Sequence, residues 1–314
     1  MSTPRIRPFA EGDDLRLNEL LSDPRDSAVH AGRGLLRPPA ERPLSRAVVA
    51  EVADGVLVGA AGVSESLLHP QRAWVHVDVA AAEARSGLGG RLLEAVRAEL
   101  AGTRLEGLGL RCVVTPGSAG EAFAREHGFS ELHRTRMVRI DAGALPSPAL
   151  EGRPDGAELK VTTAGSAQLT LAYGPWYQRV YARIDPAVEL SVGEVHRRFL
   201  SEQAGAHGAA LVLRDGAVQA FAVSYARPQE APAGEGAAPV PQPEEAGDDG
   251  TELTIGTADT GTAEDLELML GVLAAERPVV VEVKPQMELL DALADRLIDN
   301  GRAQVLTTLL TLGD

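Results

Sequence analysis

The stretch that decides the fold is VHVDVAAAEARSGLGGRLL, residues 75–93 of a 314-residue chain. It opens with the alternating apolar pattern of a strand and closes with the apolar spacing of a helix. Between the two lies the loop Ser86-Gly87-Leu88-Gly89-Gly90. The first turn of a helix carries unpaired N–H groups and a partial positive charge, and glycine lets an anion approach that backbone. The sequence therefore predicts a phosphate-binding site at a strand-to-helix turn.

Two common phosphate-binding motifs fit this loop poorly. A Rossmann turn needs three glycines at fixed spacing and an acidic residue on a second strand. A P-loop needs Gly-Lys followed by Ser or Thr, whereas this loop continues Gly90-Arg91-Leu92. A different class of phosphate site is therefore expected.

The order of elements around the loop indicates the α/β class with a mixed sheet. Two strands joined by a type I′ turn at Asp54-Gly55 precede the loop, and strands alternate with helices after it. The predicted elements are strands at 47–52, 57–64 and 73–79, a helix at 88–100, a strand at 108–114, a helix at 120–126 and a closing strand at 134–140.

An internal repeat divides the chain into two halves. Residues 48–64 and 210–224 both read strand, Asp-Gly turn, strand, and both end in Val-Ser. Residues 279–301 repeat the strand-then-helix order of 108–128. Because the element order matches, we expect two copies of one fold, as domains 1–145 and 155–314.

A proline-rich insertion interrupts the second copy at residues 226–250. Its Pro, Ala, Glu and Gly content cannot bury enough apolar area to offset the entropy of ordering. We therefore expect this insertion to be disordered.

Composition limits the functions that the chain can have. A single cysteine, Cys112, excludes an internal disulfide and a multi-cysteine metal site, and no metal is expected. No apolar run approaches about 18 residues and the N-terminus is polar, so we expect a cytoplasmic protein without a membrane partner.

The net charge of −15 lies almost entirely in the second half of the chain. Residues 1–150 hold 19 acidic and 18 basic side chains, and residues 151–314 hold the other 26 and 12. Such an acidic half argues against nucleic acid as a partner. It suits a cationic substrate or serves only solubility.

The strand, the Gly-x-Gly loop and the apolar helix together resemble the acyl-CoA-binding motif of the GNAT superfamily of N-acyltransferases. Ile6-Arg7-Pro8-Phe9, the segment AFAREHGF at 122–129 and the strand at 136–140 resemble further family signatures, in family order. The likeness covers residues 4–141 well and 158–312 as a degraded copy. The chain thus looks like a tandem GNAT protein, which implies two domains that each hold a mostly antiparallel twisted sheet with flanking helices.

The resemblance implies acetyl-CoA as the cosubstrate. Backbone groups of Val77 and Val79 would bind the pantetheine arm, and the Val79 N–H would polarise the thioester carbonyl. Phe123 would pack beside the arm. The pyrophosphate would lie against Arg85, Ser86, Gly87, Leu88, Gly89 and Gly90.

The implied acceptor is an amine of a small molecule or peptide, which must lose a proton before direct transfer. His76 and Asp78 are the catalytic candidates, and a histidine can titrate near neutrality. Their alternation with the valines also allows them to point to the opposite face of the strand. Glu51, Glu65 and a chain of waters remain alternative bases.

One departure from the family pattern concerns the general acid. Many members place a tyrosine after the position of Phe123, where this chain has Ala124, and residues 1–150 contain no tyrosine. Proton delivery then needs water, Ser118, His127 or a tyrosine from the second half. The alternative function is therefore a catalytically inactive acyl-CoA-binding or dimerisation protein with the same fold, and a homodimer stays open in either case.

The second copy lacks the glycine loop. Its counterpart, IGTADTGTAEDL at residues 255–266, contains Asp259, Glu264 and Asp265. Because three carboxylates would repel a pyrophosphate, we predict that the second copy does not bind CoA.

Overall fold

A computed structural model describes residues 3–21, 26–150, 152–225 and 250–314. It confirms the mixed α/β fold and divides the chain into two compact units. The insertion predicted to be disordered at 226–250 lies, apart from Gly250, outside the described residues.

The first half of the sequence alternates strands and helices much as its pattern predicts. Its strands are β1 (Arg5–Pro8), β2 (Ala40–Glu41), β3 (Leu44–Glu51), β4 (Leu57–Ser64), β5 (Arg72–Val79), β6 (Gly109–Val114) and β7 (Ser130–Ile140). Its helices are α1 (Asp13–Leu20), α2 (Ser27–Arg33), α3 (Leu88–Ala98) and α4 (Ala119–Glu126). The sequence analysis predicted no helix at the position of α2.

The second half repeats this order, which confirms the internal repeat. Its strands are β8 (Glu158–Thr162), β9 (Ala206–Arg214), β10 (Ala217–Tyr225), β11 (Thr251–Thr257), β12 (Val279–Val283) and β13 (Ala303–Gly313). Its helices are α5 (Ala167–Tyr181), α6 (Val192–Val195), α7 (Ala263–Leu273) and α8 (Glu288–Asp299).

Each unit contains a sheet with one parallel pair among antiparallel neighbours. In the first unit the strand order is β1-β3-β4-β5-β6-β13, with β5 and β6 parallel. In the second it is β7-β12-β11-β10-β9-β8, with β11 and β12 parallel. The parallel pair therefore occupies the same place in both copies.

Packing on both faces of β4 explains its small residues. All eight of its residues are buried. Helix α3 contributes an apolar stripe of Leu88, Leu92 and Val96 to the core of this unit. A Cβ atom at Gly62 would lie 2.2 Å from the backbone oxygen of Leu35, so only glycine admits the segment that follows α2.

The two Asp-Gly turns differ in conformation. Asp215 and Gly216 have φ values of 50° and 77°, as a type I′ turn requires. The type I′ prediction for Asp54-Gly55 was wrong, because Ala53–Gly55 form a 3₁₀ turn. A hydrogen bond from the Val52 N–H to the Val56 oxygen joins the ends of β3 and β4, so the turn between them has three residues.

The closing strand of each half completes the unit of the other half. Residues 310–313 of β13 pair with 111–114 of β6, and residues 136–140 of β7 pair with 279–283 of β12. The compact units therefore differ from the contiguous domains 1–145 and 155–314, since residues 133–140 belong to the second unit and 309–314 to the first.

Burial and hydrogen bonds hold the end of β13 in the first unit. Leu310 and Leu312 are 1% and 0% exposed and belong to the core around α3. Asp314 accepts a hydrogen bond from the Leu110 N–H at 2.6 Å and forms an ion pair with Arg97. Val138 and Ile140 of β7 are buried in the other core in the same way.

We predict that Leu312→Ala lowers the free energy of unfolding by about 2–5 kcal/mol, because it opens a cavity in a fully packed core. Val305→Ala, on the exposed part of the same strand, should change it by less than about 0.5 kcal/mol. Chemical denaturation followed by circular dichroism measures both. Equal effects of the two substitutions would show that β13 does not close the first core.

Candidate functional site

The first unit contains a gap between the two parallel strands of its sheet. Strands β5 and β6 pair only where Arg72–Trp74 face Gly109–Arg111. At the last rung the buried Arg111 guanidinium lies 3.8 Å from the centre of the Trp74 ring and donates to the Ser66 hydroxyl at 2.6 Å. Beyond that rung β5 continues to pair with β4, while its other edge has no strand partner among the residues that the structure describes.

The backbone of β5 directs alternate polar groups into the gap. The Ala80 N–H donates to the Val58 oxygen on β4 at 3.0 Å. Because backbone groups alternate along a strand, His76 and Asp78 also bond towards β4. Val77 and Val79 therefore direct their N–H and C=O groups to the opposite edge, where the sequence resemblance placed a pantetheine arm.

A cavity of about 310 Å³ occupies this gap. Its walls are largely apolar, with Val75, Val77 and Phe123 among them, and His76 and Asp26 add polar groups. Strand β6 lines the other wall with Cys112, Val113 and Val114, followed by Thr115, and helix α4 adds Ser118, Gly120 and Ala124. A ligand of small-molecule size fits such a volume.

The glycine loop presents bare backbone at the start of α3. Gly87 caps this helix with a φ of 80°, and no side chain caps its N–H groups. The first backbone bond of the helix runs from the Arg91 N–H to the Gly87 oxygen at 3.3 Å. The N–H groups of Leu88, Gly89 and Gly90 are therefore left for an anion, at the positive end of the helix dipole.

The three glycines of the loop are needed for different structural reasons. A Cβ atom at Gly87 would meet nothing within 4 Å, so the space beside it is open to a ligand. A Cβ at Gly89 would lie 3.0 Å from the Phe123 ring, and one at Gly90 would lie 2.9 Å from the His127 Nε2 atom. Gly89 and Gly90 thus also let α4 pack against the helix start.

The residues before Gly87 hold the loop in shape. Arg85 adopts a φ of 61°, which few non-glycine residues do. The Ser86 hydroxyl donates to the Glu83 oxygen at 2.7 Å. Each predicted phosphate-loop residue therefore lies at one strand-to-helix turn beside the gap.

His76 and Asp78 lie on the opposite face of β5 from the valines, against helix α2. A Cβ atom at Gly32 would lie 2.2 Å from the His76 Nδ1 atom, so α2 rests directly on the imidazole ring. Arg33 donates to the Asp78 carboxylate at 2.7 Å, and the His76 Nε2 atom lies 3.9 Å from that carboxylate. The Nε2 atom is buried, and none of the described residues forms a hydrogen bond with it.

The carboxyl group of Asp78 is held in its ionised form. Burial acts to raise its pKa, but the interactions with His76 and Arg33 outweigh burial and lower the pKa below its usual range. The stabilisation from this charge is therefore present above the ordinary carboxyl pKa and is lost only as the pH falls through the lowered pKa.

Helix α2 also brings Asp26 to the cavity. The Asp26 carboxylate caps the helix by accepting from the Ala28 N–H at 2.8 Å, and it accepts from the Thr115 hydroxyl at 2.9 Å. Asp26 followed by Ser27 and Ala28 is an N-cap signal that would have revealed this helix. Gly32 and Arg33 carry no such signal, because their roles depend on the chain folding back over β5.

The alternative bases lie elsewhere in the unit. Glu51 accepts from Arg7 at 2.9 Å, Glu65 accepts from Arg104, and hydrogen bonds from these arginines lower the pKa of both carboxyls. Neither carboxylate lines the cavity. Cys112 does line it, but burial raises the pKa of its thiol to about 12, so the thiol is neutral and a weak nucleophile.

Helix α7, the counterpart of α3 in the second unit, begins with capping side chains. Thr262 caps α7, and the Asp265 carboxylate accepts from the Thr262 N–H at 2.9 Å to complete a capping box. Asp265 is fully buried. The Asp265 N–H, which corresponds to the bare Gly90 N–H of α3, thus donates to the Thr262 hydroxyl at 3.4 Å.

Two features, a membrane-spanning helix and a metal-binding cluster, are absent from the described part of the chain. No helix there is long and apolar enough to cross a membrane. Within the same residues, no group of three or more His, Cys, Asp or Glu side chains is arranged to hold a metal ion.

Comparison with known proteins identifies the fold. No protein-family model and no curated protein matches the chain. A GCN5-related N-acetyltransferase from Sphaerobacter thermophilus matches with a TM-score of 0.59 at 15% identity, over 99% of this chain and 95% of that one. A tandem GNAT protein from the clavulanic acid biosynthesis pathway matches with a TM-score of 0.56 at 15% identity, over 99% and 98%.

A third solved structure contains a glucosamine N-acetyltransferase region within a fungal multi-domain β-N-acetylglucosaminidase. It matches with a TM-score of 0.64 at 13% identity, over 100% of this chain and 38% of that one. At such identities the likeness concerns the fold. This chain has a tandem GNAT fold, which confirms the fold that the sequence resemblance implied.

We predict that Gly32→Ala moves the His76 ring and lowers the free energy of unfolding by about 1–3 kcal/mol, because the added methyl group overlaps the imidazole. Gly193→Ala in α6 is the control, since its Cβ meets nothing within 4 Å. Denaturation midpoints and the imidazole NMR signals of His76 measure the effect. Unchanged His76 signals in Gly32→Ala would contradict the close approach of α2.

Proposed function

We propose that this protein is an acyl-CoA-dependent N-acyltransferase of the GNAT superfamily, with acetyl-CoA as its cosubstrate. The observation that carries the proposal is the juxtaposition of an uncapped helix start with an open strand edge. The bare N–H groups of α3 suit a pyrophosphate, and the cavity beside Val77 suits a narrow amide-containing arm. One ligand with both features is coenzyme A.

In this proposal the loop from Arg85 to Gly90 binds the pyrophosphate. The backbone groups of Val77 and Val79 bind the pantetheine amides in place of the missing strand. The Val79 N–H then polarises the thioester carbonyl, because a donor aimed at that oxygen stabilises the negative charge that develops there. Phe123 packs beside the arm at the cavity wall.

The acceptor amine is proposed to enter on the α2 side of the gap. His76, which lines the cavity, is the proposed base that takes a proton from the ammonium form, and the ionised Asp78 stabilises the resulting imidazolium. The free amine attacks the thioester carbon and the carbon–sulfur bond breaks. The proton that the new amide nitrogen loses passes through water to the leaving thiolate. Asp26 at the same cavity favours a cationic acceptor.

One observation favours a second candidate function. Ala124 lies at the cavity where many GNAT proteins carry a tyrosine, and a methyl group cannot donate a proton. The alternative is a protein that binds acyl-CoA without transferring the acyl group. The two candidates share the binding site and differ in turnover.

We predict that calorimetry detects acetyl-CoA binding and that Gly87→Glu weakens it by more than about 100-fold, because the side chain fills the open space with negative charge. Gly102→Glu is the matched control, with a φ of 72° and equally open surroundings away from the loop. Equal affinity in the two variants would show that the loop is not the anion site.

We predict that His76→Gln lowers kcat for amine-dependent thiol release by about 10²–10⁴-fold, because general base catalysis supplies that much. Acetyl-CoA affinity should stay unchanged, since the side chain lies on the other face of β5. His30→Gln on the exposed side of α2 should retain full activity. Binding without any turnover across an amine panel in the unmutated protein would favour the inactive alternative.

A further inference from the structure

Helix α4 ends on a histidine that packs against the start of helix α3. This residue, His127, is the C-terminal cap of α4 and is half-buried. A Cβ atom at Gly90 would lie 2.9 Å from its Nε2 atom, so a side chain at residue 90 would displace the imidazole ring. Because the Cα–Cβ bonds of a helix tilt towards its N-terminus, this contact puts the Nε2 atom beside the first turn of α3. The imidazole therefore lies next to the bare N–H groups of the glycine loop.

The other ring nitrogen of His127 determines which atom carries a proton. The Nδ1 atom lies 2.9 Å from the Phe123 carbonyl oxygen, and the imidazole packs on the Phe123 ring with 4.2 Å between the ring centres. Because a carbonyl oxygen only accepts, Nδ1 carries the hydrogen of this bond. The Nε2 atom then holds a lone pair in the neutral imidazole and an N–H donor in the imidazolium ion. None of the described residues forms a hydrogen bond with Nε2.

Two helix ends act on this imidazole in opposite ways. The C-terminal end of α4 carries a partial negative charge, which favours the imidazolium form, and the N-terminal end of α3 carries a partial positive charge, which favours the neutral form. An anion bound at the start of α3 would cancel the second effect and accept a hydrogen bond from Nε2. Hydrogen bonds between two charged groups are roughly twice as strong as neutral ones. The binding of an anion and the binding of a proton therefore strengthen each other.

The charged side chains near His127 leave the imidazole open to such an anion. Within the described part of the chain, no carboxylate forms an ion pair with His127. The charged neighbours on the two packed helices are two arginines that donate to other groups and two exposed glutamates, namely Arg91, Arg125, Glu94 and Glu126. Because solvent screens the charge of exposed glutamates, they do not replace an anion at the helix start.

His127 does not line the cavity beside Val77. In the proposed complex it therefore lies at the phosphate end of the cosubstrate, away from the thioester. This position does not support the role that the sequence left open for His127, namely delivery of a proton to the thiolate.

We infer that His127 is a further ligand for the phosphate group at the start of α3, and that it binds this group as the imidazolium ion, so that phosphate binding takes up a proton. The inference rests on the proposed function, because it needs an anion at the glycine loop. It adds a side chain that titrates to a site otherwise formed by backbone N–H groups.

The direction of the pH dependence follows from this linkage. An imidazole changes its charge between about pH 5 and 8. Because the bound anion favours the imidazolium ion, the contribution of His127 to affinity is complete at low pH. It is lost as the pH rises until the imidazole is neutral in the complex as well.

Calorimetric titration of the full chain with dephospho-CoA tests the inference. This probe keeps the pyrophosphate diester, which does not titrate near neutrality, and lacks the 3′-phosphate monoester, which does. Titrations in buffers of different ionisation enthalpy give the number of protons that are taken up. At pH 7 we expect about half a proton per ligand, and we expect binding to be about fivefold tighter at pH 6 than at pH 8.

His127→Gln is the test variant, because glutamine keeps a side-chain donor but does not take up a proton. We expect this variant to bind without proton uptake and to differ in affinity by less than about twofold between pH 6 and pH 8. His30→Gln, on the exposed side of α2, is the matched control and should keep both the proton uptake and the pH dependence.

Two results would overturn the inference. They are binding to the unmutated protein without proton uptake, and equal proton uptake in a folded His127→Gln variant. If that variant does not fold, the imidazole nitrogen signals of His127 in the unmutated protein decide, since they must move towards the imidazolium position on binding, and unmoved signals overturn the inference. No binding of dephospho-CoA at any pH would refute the proposed function together with the inference, whereas binding without proton uptake refutes the inference alone.

Discussion

The parting of β5 from β6 after the Trp74–Arg111 rung is the constraint on which the rest of the site depends. A strand that keeps one partner and loses the other exposes backbone donors and acceptors along a whole edge. The buried guanidinium of Arg111, stacked on Trp74 and bonded to Ser66, marks where pairing ends. The cavity, the outward groups of Val77 and Val79, and the proximity of the glycine loop all follow from that separation.

The two copies show how a helix start can be opened or closed to anions without a change of fold. Helix α3 begins with a glycine in the left-handed region and no capping side chain, so its positive end faces solvent. Helix α7 begins with the capping box of Thr262 and Asp265, in which each side chain accepts a hydrogen bond from the other residue's N–H. Both helices follow a strand with one open edge, yet only α3 is suited to a phosphate. The proposed phosphate site therefore belongs to the first unit.

The positions of the catalytic candidates His76 and Asp78 depend on helix α2, which packs against both side chains on one face of the sheet. Gly32 allows α2 to rest on His76, and Arg33 reaches Asp78 from the same turn. The opposite face of β5 packs its valines into the core with α3. One strand thus separates the face proposed to bind the cosubstrate from the face proposed to receive the amine, and it contributes groups to both.

The mixed α/β class, the internal repeat and the position of the glycine loop could be predicted from the sequence. These features depend on local patterns, such as Gly87 before an apolar helix and the Asp215-Gly216 turn between alternating strands. Three other features could not be predicted from the sequence. Gly89 and Gly90 face α4, α2 covers His76, and β7 and the end of β13 each join the sheet of the unit formed mainly by the other half. Local periodicity specifies that a strand has a buried face, but it does not specify which sheet edge it joins. That choice depends on contacts between residues far apart in sequence, such as Leu312 with the core around α3 and Asp314 with the Leu110 N–H.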